Sequence, residues 1–232
     1  MILIKENVWS IKMILSLLIF SFLIPVSAQD GINQLNSKGE RIGVWKKYHA
    51  NKRIRYTGQF ENGKEVGVFK YYSPIKSDHP IAIKSFDADG MKAHVQFFTI
   101  EGVLESEGNM IKKNRVGKWV FYHPDGKTLM LEENYKDGLL QGPSQSYYRN
   151  GKVTEQKYYL NGNLHGQLKR YADNGNLIDD VNYEHGKLNG PAKFYNTDGN
   201  LITSGMYEMD QKVGNWEFFE NGKVVSAKKI KQ

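Results

Sequence analysis

A chain of 232 residues with Lys+Arg 32 against Asp+Glu 25 has a formal net charge of +7, an excess too modest at this length to mark a nucleic-acid-binding surface. The absence of cysteine excludes a disulfide framework, a thiolate metal site and a cysteine nucleophile. Aromatic residues at 12%, Gly at 23 residues and Pro at 6 favour turn-rich β structure over helix.

At the N-terminus, Lys5 and Lys12 precede an uncharged run, residues 13–24 (MILSLLIFSFLI), followed by Pro25-Val26-Ser27-Ala28 with small residues at Val26 and Ala28. The run is short for a bilayer span, which takes about 20 residues. It has the three regions of a secretory signal, so residues 1–28 are expected to be a signal peptide cleaved near Ala28. The mature chain would then begin at Gln29 and be exported, to the periplasm, the cell surface or the medium. With no cysteine at the cleavage point, attachment of the bacterial lipoprotein kind is excluded.

Residues 29–42 read as half of a repeat, and a polar, incomplete first unit is what a stack needs to close its edge. The repeat domain follows over residues 43–232. Its units open at Gly43, Gly67, Ala93, Gly117, Gly142, Gly166, Gly190 and Gly214, and the last four starts are 24 residues apart. Each unit places aromatics soon after its first residue, makes a turn, and usually reaches another aromatic before the next turn. Self-similarity at such a period marks a repeat architecture.

Within the units, Asp125-Gly126, Asn150-Gly151, Asn174-Gly175, Asp198-Gly199 and Asn221-Gly222 predict tight hairpin turns with positive φ at both residues. Between units, Asn62-Gly63, Asp137-Gly138, Asn161-Gly162 and His185-Gly186 predict the connecting turns. The expected fold is therefore all-β, an extended antiparallel hairpin array of about eight units. Some 17 strands at about 4.8 Å spacing would span on the order of 80 Å.

In the second strands, period two puts Leu177, Val181 and Tyr183 on one face, and likewise Leu201, Gly205 and Tyr207. In the first strands, Trp45, Trp119 and Trp216 take one parity, while Tyr48, Tyr122 and Tyr195 take the other. Either a bulge turns them to one side or aromatics lie on both faces. Gly58 and Gly205 leave room for a neighbouring ring to lie on backbone. Residues 73–80 (SPIKSDHP) lengthen one turn, and Ala93 replaces an opening glycine. Lys223, Lys228, Lys229 and Lys231 on the last strand discourage further strand addition.

The candidate binding surface is the aromatic ladder Trp45, Phe69, Tyr72, Trp119, Tyr122, Tyr148, Tyr171, Tyr195 and Trp216. These rings either pack units together or stay open along a groove and stack on a ligand. No other chemistry is expected. The six histidines show no ligand-pair spacing, and Asp87-Ala88-Asp89-Gly90 reads as a turn, since Phe98 stands where a calcium loop needs its glutamate. Adjacent carboxylates such as Glu132-Glu133 and Asp179-Asp180 point to opposite strand faces. There is no nucleophile elbow or phosphate loop, so no catalytic, metal or cofactor site is assigned.

The pattern G-x-W-x-x-Y, then N/D-G, then Y/F-x-N-G-K, seen over residues 43–64 and 117–138, resembles the MORN repeat. It is closest to the bacterial variant found in YwqK-type antitoxin components of toxin–antitoxin modules. The resemblance covers residues 38 to the C-terminus. It implies hairpins in a twisted open sheet, a protein-binding or scaffolding role without catalysis, and a toxin as the partner that an antitoxin or immunity-like protein would meet. The competing class is a cell-envelope module for glycan or anionic lipid, followed by a plain spacer. Buried aromatic rows favour the scaffold, and open, evenly spaced rings favour the polymer ligand.

Overall fold

A computed structural model of the chain describes residues 31–230, so the expected signal peptide lies outside the described residues. The described residues form 19 strands and no helix. A stub, β1 (Gln34–Leu35), precedes eight hairpins. The first four are β2 (Arg41–Tyr48) with β3 (Ile54–Glu61), β4 (Lys64–Tyr71) with β5 (Ala82–Phe86), β6 (Lys92–Phe98) with β7 (Leu104–Ile111), and β8 (Asn114–Tyr122) with β9 (Leu129–Lys136). In the fifth and sixth the first strand is interrupted, giving β10 (Leu139–Leu140) and β11 (Gly142–Tyr147) with β12 (Val153–Leu160), then β13 (Asn163–Leu164) and β14 (Gly166–Tyr171) with β15 (Leu177–Glu184). The last two are β16 (Lys187–Tyr195) with β17 (Leu201–Glu208) and β18 (Gln211–Glu220) with β19 (Lys223–Ile230).

Every pairing is antiparallel and joins strands that follow one another in the chain, from β1 on β2 through β9 on β10 and β11 to β18 on β19. The sheet is thus one open meander, as the turn spacing predicts. Its two edges are the stub β1 and the lysine-bearing β19.

The two turn series are built differently. Between units, Asn62, Asp137, Asn161 and His185 have φ of 49 to 53° and each is followed by a glycine at 78 to 87°, so both central residues are left-handed, as the two-residue hairpin turn requires. Within units this expectation holds for Asn221-Gly222 and fails elsewhere. Gly126, Gly151, Gly175 and Gly199 take positive φ, but the residue before each does not. Those loops are longer, and a side chain organises them. Asp125 Oδ1 accepts from the amides of Lys127 (2.9 Å) and Thr128 (2.8 Å), and Asn150 and Asn174 Oδ1 each accept from the amide two residues on.

A bulge beside the turn within the unit reverses a face assignment. Seven hairpins carry one extra residue in the second strand, as where Arg170 pairs with Asp179 but Tyr171 with Leu177. The extra residue shifts the parity of whatever precedes it. Leu177 therefore lies on the face of Tyr171, opposite Val181, and Leu201 on the face of Tyr195, opposite Gly205. Strict alternation misplaces both leucines.

The unit-opening glycine has its own job. At Gly43, Gly67, Gly117, Gly142, Gly166, Gly190 and Gly214 φ is 64 to 111°. At the junctions entering the units that begin with Gly67, Gly117, Gly142, Gly166, Gly190 and Gly214, the pairing skips two residues, as where Gly108 pairs with Trp119 but Asn109 with Val116. The left-handed residue makes this break, and a glycine tolerates it without steric cost. At Ala93 the β5–β6 register runs unbroken.

The core lies along one face. Its rings Phe69, Trp119 and Trp216 are at most 1% exposed, and each sits on a glycine of the strand before it. A Cβ on Gly58 would come within 2.3 Å of the Phe69 ring, on Gly108 within 2.5 Å of Trp119, and on Gly205 within 2.3 Å of Trp216. The indole N–H of Trp119 donates to Asn109 O (3.0 Å) and that of Trp216 to Met206 O (3.2 Å), both at the skip in the ladder. A single-layer sheet offers no second layer above the rings. Cationic side chains cover the tryptophans Trp45, Trp119 and Trp216 instead, with Arg41 4.9 Å from the Trp45 ring centre, Arg115 4.3 Å from Trp119 and Lys212 4.1 Å from Trp216.

We expect Gly108→Ala to destabilise the array by about 1–3 kcal/mol through overpacking against Trp119, seen as a lower thermal midpoint. Because Gly108 has no left-handed φ, adding Trp119→Leu should restore part of the loss, and an unchanged midpoint for Gly108→Ala would remove the ring-on-glycine account. Deleting residues 142–165 in register should leave a shorter array that still unfolds cooperatively, whereas deleting 12 of those residues should not. Calorimetry on the two proteins separates these outcomes.

Candidate binding surface

The structure divides the nine ladder residues between two faces. Trp45, Phe69, Trp119 and Trp216 are buried in the core, 7% exposed at most. As a ligand-stacking surface they are corrected: their ring faces are spent on glycine, neighbouring rings and covering cations. The Trp45 ring meets Phe60 edge-on at 5.8 Å, and Trp119 stacks on Phe97 at 6.1 Å. Tyr72, Tyr122, Tyr148, Tyr171 and Tyr195 are half-buried, and the strand register puts Tyr122, Tyr171 and Tyr195 on the opposite face. Aromatics therefore occupy both faces, and the hairpin bulge, being in the partner strand, does not turn them together.

That second face is a hydrogen-bonded ladder with a constant offset of 15 residues. Tyr122 donates to Glu107 (2.5 Å), Tyr147 to Glu132 (3.1 Å) and Tyr171 to Gln156 (2.9 Å). At the same offset from Tyr195, Asp180 of the sixth unit accepts from Gln167 instead (2.6 Å). Around the acceptors lie His94 and Gln96 on Glu107, Lys118 on Glu132 and Gln145 on Gln156. A second link joins the loops of successive units: the rings of His49 and His123 meet the carbonyls of Tyr72 and Tyr147, and Tyr148 donates to the carbonyl of Tyr171 (2.9 Å). Sequence reasoning missed Glu107, Glu132 and Gln156, although their fixed offset from the tyrosines was there to be counted.

The ladder shifts protonation. Burial, then the hydrogen bond and charge of Glu107, push Tyr122 up to about 12. The Tyr122 hydroxyl in turn holds the Glu107 carboxyl below its ordinary range, against desolvation and with help from Gln96 and His94. Burial and then Glu132 raise Tyr147 in the same way.

Residues 73–80 break the repeat on one edge and are tied on both sides. Asn51 donates to Pro74 O (2.8 Å), Ser73 Oγ accepts from the Ile75 amide (3.1 Å), and the His79 ring lies over Gly102. Ile75, at 76% exposure, is the loop's outward apolar residue. The Asp87–Gly90 stretch is a turn, with Gly90 N on Asp87 O (2.9 Å) and Met91 N on Asp89 Oδ1 (2.9 Å). Among the described residues no three His, Asp or Glu side chains are grouped to hold a metal ion.

The arrangement defines an open hairpin-repeat scaffold that presents one hydrogen-bonded face and buries the other's rings. Residues 41–62, 115–137, 140–161 and 164–185 match the MORN repeat variant, and the chain belongs to that repeat family. Each match begins two residues before a unit-opening glycine and ends on the first residue of a connecting turn. No curated protein matches the chain. Among solved structures it is similar to "Crystal Structure of TcdB2-TccC3-Cdc42", at 11% identity and a TM-score of 0.23 over 77% of this chain and 12% of that one. It is also similar to "Crystal Structure of TcdB2-TccC3", at 11% identity and 0.23 over 79% and 13%. The chain thus spans about an eighth of the length of these solved chains.

Tyr122→Phe should return the Glu107 carboxyl toward its usual range, read by nuclear magnetic resonance titration of that side chain. A depressed folded pKa stabilises above the unfolded carboxylate value and is lost as pH falls through the folded one. The stability gap between wild type and Tyr122→Phe should therefore close in acid. At the other end, Tyr122 contributes below its ordinary value of 10.0 and loses that contribution as pH rises toward about 12. Urea unfolding across pH tests both limbs, and a gap independent of pH would reject the coupling.

Proposed function

We propose that the chain is an exported, non-enzymatic scaffold that binds a protein partner through its tyrosine face and the adjoining irregular loop, acting as the antitoxin or immunity-like partner of a toxin met outside the cytoplasm. The observation that carries this is the burial of Trp45, Trp119 and Trp216. A module for glycan or lipid polymer needs open rings at even spacing, whereas here the largest rings are at most 7% exposed and serve packing. The other face offers half-buried tyrosines with fixed hydroxyls and interleaved Glu, Gln, His and Lys, and the irregular loop exposes Ile75. A polar, tyrosine-rich surface on a rigid scaffold is well suited to a protein partner.

The envelope reading keeps one point in its favour. Tyr122, Tyr147, Tyr171 and Tyr195 recur once per unit, at about 10 Å if two strand spacings separate them, and half-exposed rings at that interval could each meet one residue of a glycan.

The experiment is capture from the organism's envelope fraction by residues 29–232, with and without prior protease treatment of the fraction. We expect one discrete protein, lost on protease treatment and lost again with Tyr171→Glu, a substitution on the tyrosine face. Capture that survives protease would replace the scaffold reading with glycan or lipid, and capture indifferent to Tyr171→Glu would move the contact elsewhere.

A further inference from the structure

The third unit lacks the ring-on-glycine contact of the second, fourth and eighth units. Its ring position is held by Val95, and the residue paired with Val95 on the preceding strand is Lys84, not glycine. Two residues before the unit opening, where Arg41, Arg115 and Lys212 cover rings in other units, stands Met91, 66% exposed. The outcome is a hollow of about 340 Å³ beside the β5–β6 turn, with Phe86, Ala93, Val95 and Met110 among its lining residues. Three lysines, Lys64, Lys84 and Lys112, also line it.

The charge balance of this hollow is uneven. None of the three lysines is within 4.0 Å of a carboxylate among the described residues. The two acidic side chains that line it are engaged nearby: Asp89 accepts from the Met91 amide at 2.9 Å, and Glu65 lies against the Tyr71 phenol. Lys84 is itself held in place, its Nζ 5.4 Å from the centre of the Tyr71 ring. The volume lies at the lower end of small-ligand sites, which run from about 300 Å³. It equals about eleven waters at roughly 30 Å³ each, which suits an apolar body of about ten carbon atoms.

We propose that this hollow is a binding site for a small amphiphilic carboxylate, whose apolar body rests on Phe86, Val95 and Met110 and whose carboxylate is met by Lys64, Lys84 and Lys112. Burial of the chain supplies the affinity, and the lysines select an anion over a neutral ligand of the same length. The site lies on the ring-bearing face, away from the tyrosine ladder, so it stands or falls independently of the proposed protein partner.

The test uses residues 29–232 with anilinonaphthalene sulfonate as a fluorescent probe and decanoate as the competitor, checked by calorimetry. We expect one decanoate per chain. Lys84→Gln should weaken it about tenfold, in keeping with loss of a charge-assisted contact. Met91→Glu, at an exposed position that should not disturb folding, should weaken it at least as much by placing a like charge at the rim. Lys84→Gly with Val95→Trp should rebuild the ring-on-glycine contact, fill the hollow and abolish binding, with the thermal midpoint recorded to confirm a folded chain. Failure of folded wild type to bind decanoate saturably would overturn the proposal, as would binding unchanged by both Lys84→Gln and Met91→Glu.

Discussion

The contact on which this array depends is an aromatic ring laid flat on a glycine of the preceding strand. An open sheet one layer thick cannot bury side chains between layers, so its apolar residues must find cover from within their own face. Removing one Cβ lowers the floor enough to take an indole or phenyl ring, and neighbouring rings and a long cationic side chain close the sides and top. The skip in the ladder beside Trp119 and Trp216 leaves a carbonyl that the indole N–H satisfies. Ring, glycine, covering cation and interrupted register are therefore one device, complete at Trp119 and Trp216 and used at Phe69 without the indole bond or the covering cation.

Where the device is absent, the chemistry of the face changes. Along the fifth and sixth units the ring positions hold Ser144 and Leu168. The core face there carries Glu155, bonded to Lys157 at 2.8 Å and 3.7 Å from Arg170, which reaches Asp179 at 2.9 Å. These pairs are partly exposed, and such pairs contribute little individually. Their effect is to divide the apolar row into separate clusters, around Phe69 and Trp119 on one side and Trp216 on the other. The third unit departs differently, with small side chains and no ring, and so leaves a hollow where its neighbours are filled.

The two faces have different work. One spends its aromatics on cohesion between units. The other holds tyrosines by their hydroxyls at a fixed offset, which orients half-exposed rings without burying them and ties their protonation to the carboxylates beneath. A scaffold of this kind gains reach by adding units, since each contacts chiefly its neighbours.

The sequence by itself determined the repeat, its opening glycines, the connecting turns and the meander, because each of these rests on local φ/ψ preference and on the spacing of a few residue types. It also announced the ring seats at Gly58 and Gly205, where a glycine interrupts a strand for no turn-related reason. What only the tertiary structure decided was orientation. An extra residue in a strand, invisible in composition, moved Leu177 and Leu201 to the other face. The nine aromatic candidates, alike in sequence, separated into buried packing rings and half-exposed tyrosines. That separation follows from which strand lies alongside and what its facing residue leaves open, a property of pairs distant in sequence that no single stretch of chain encodes.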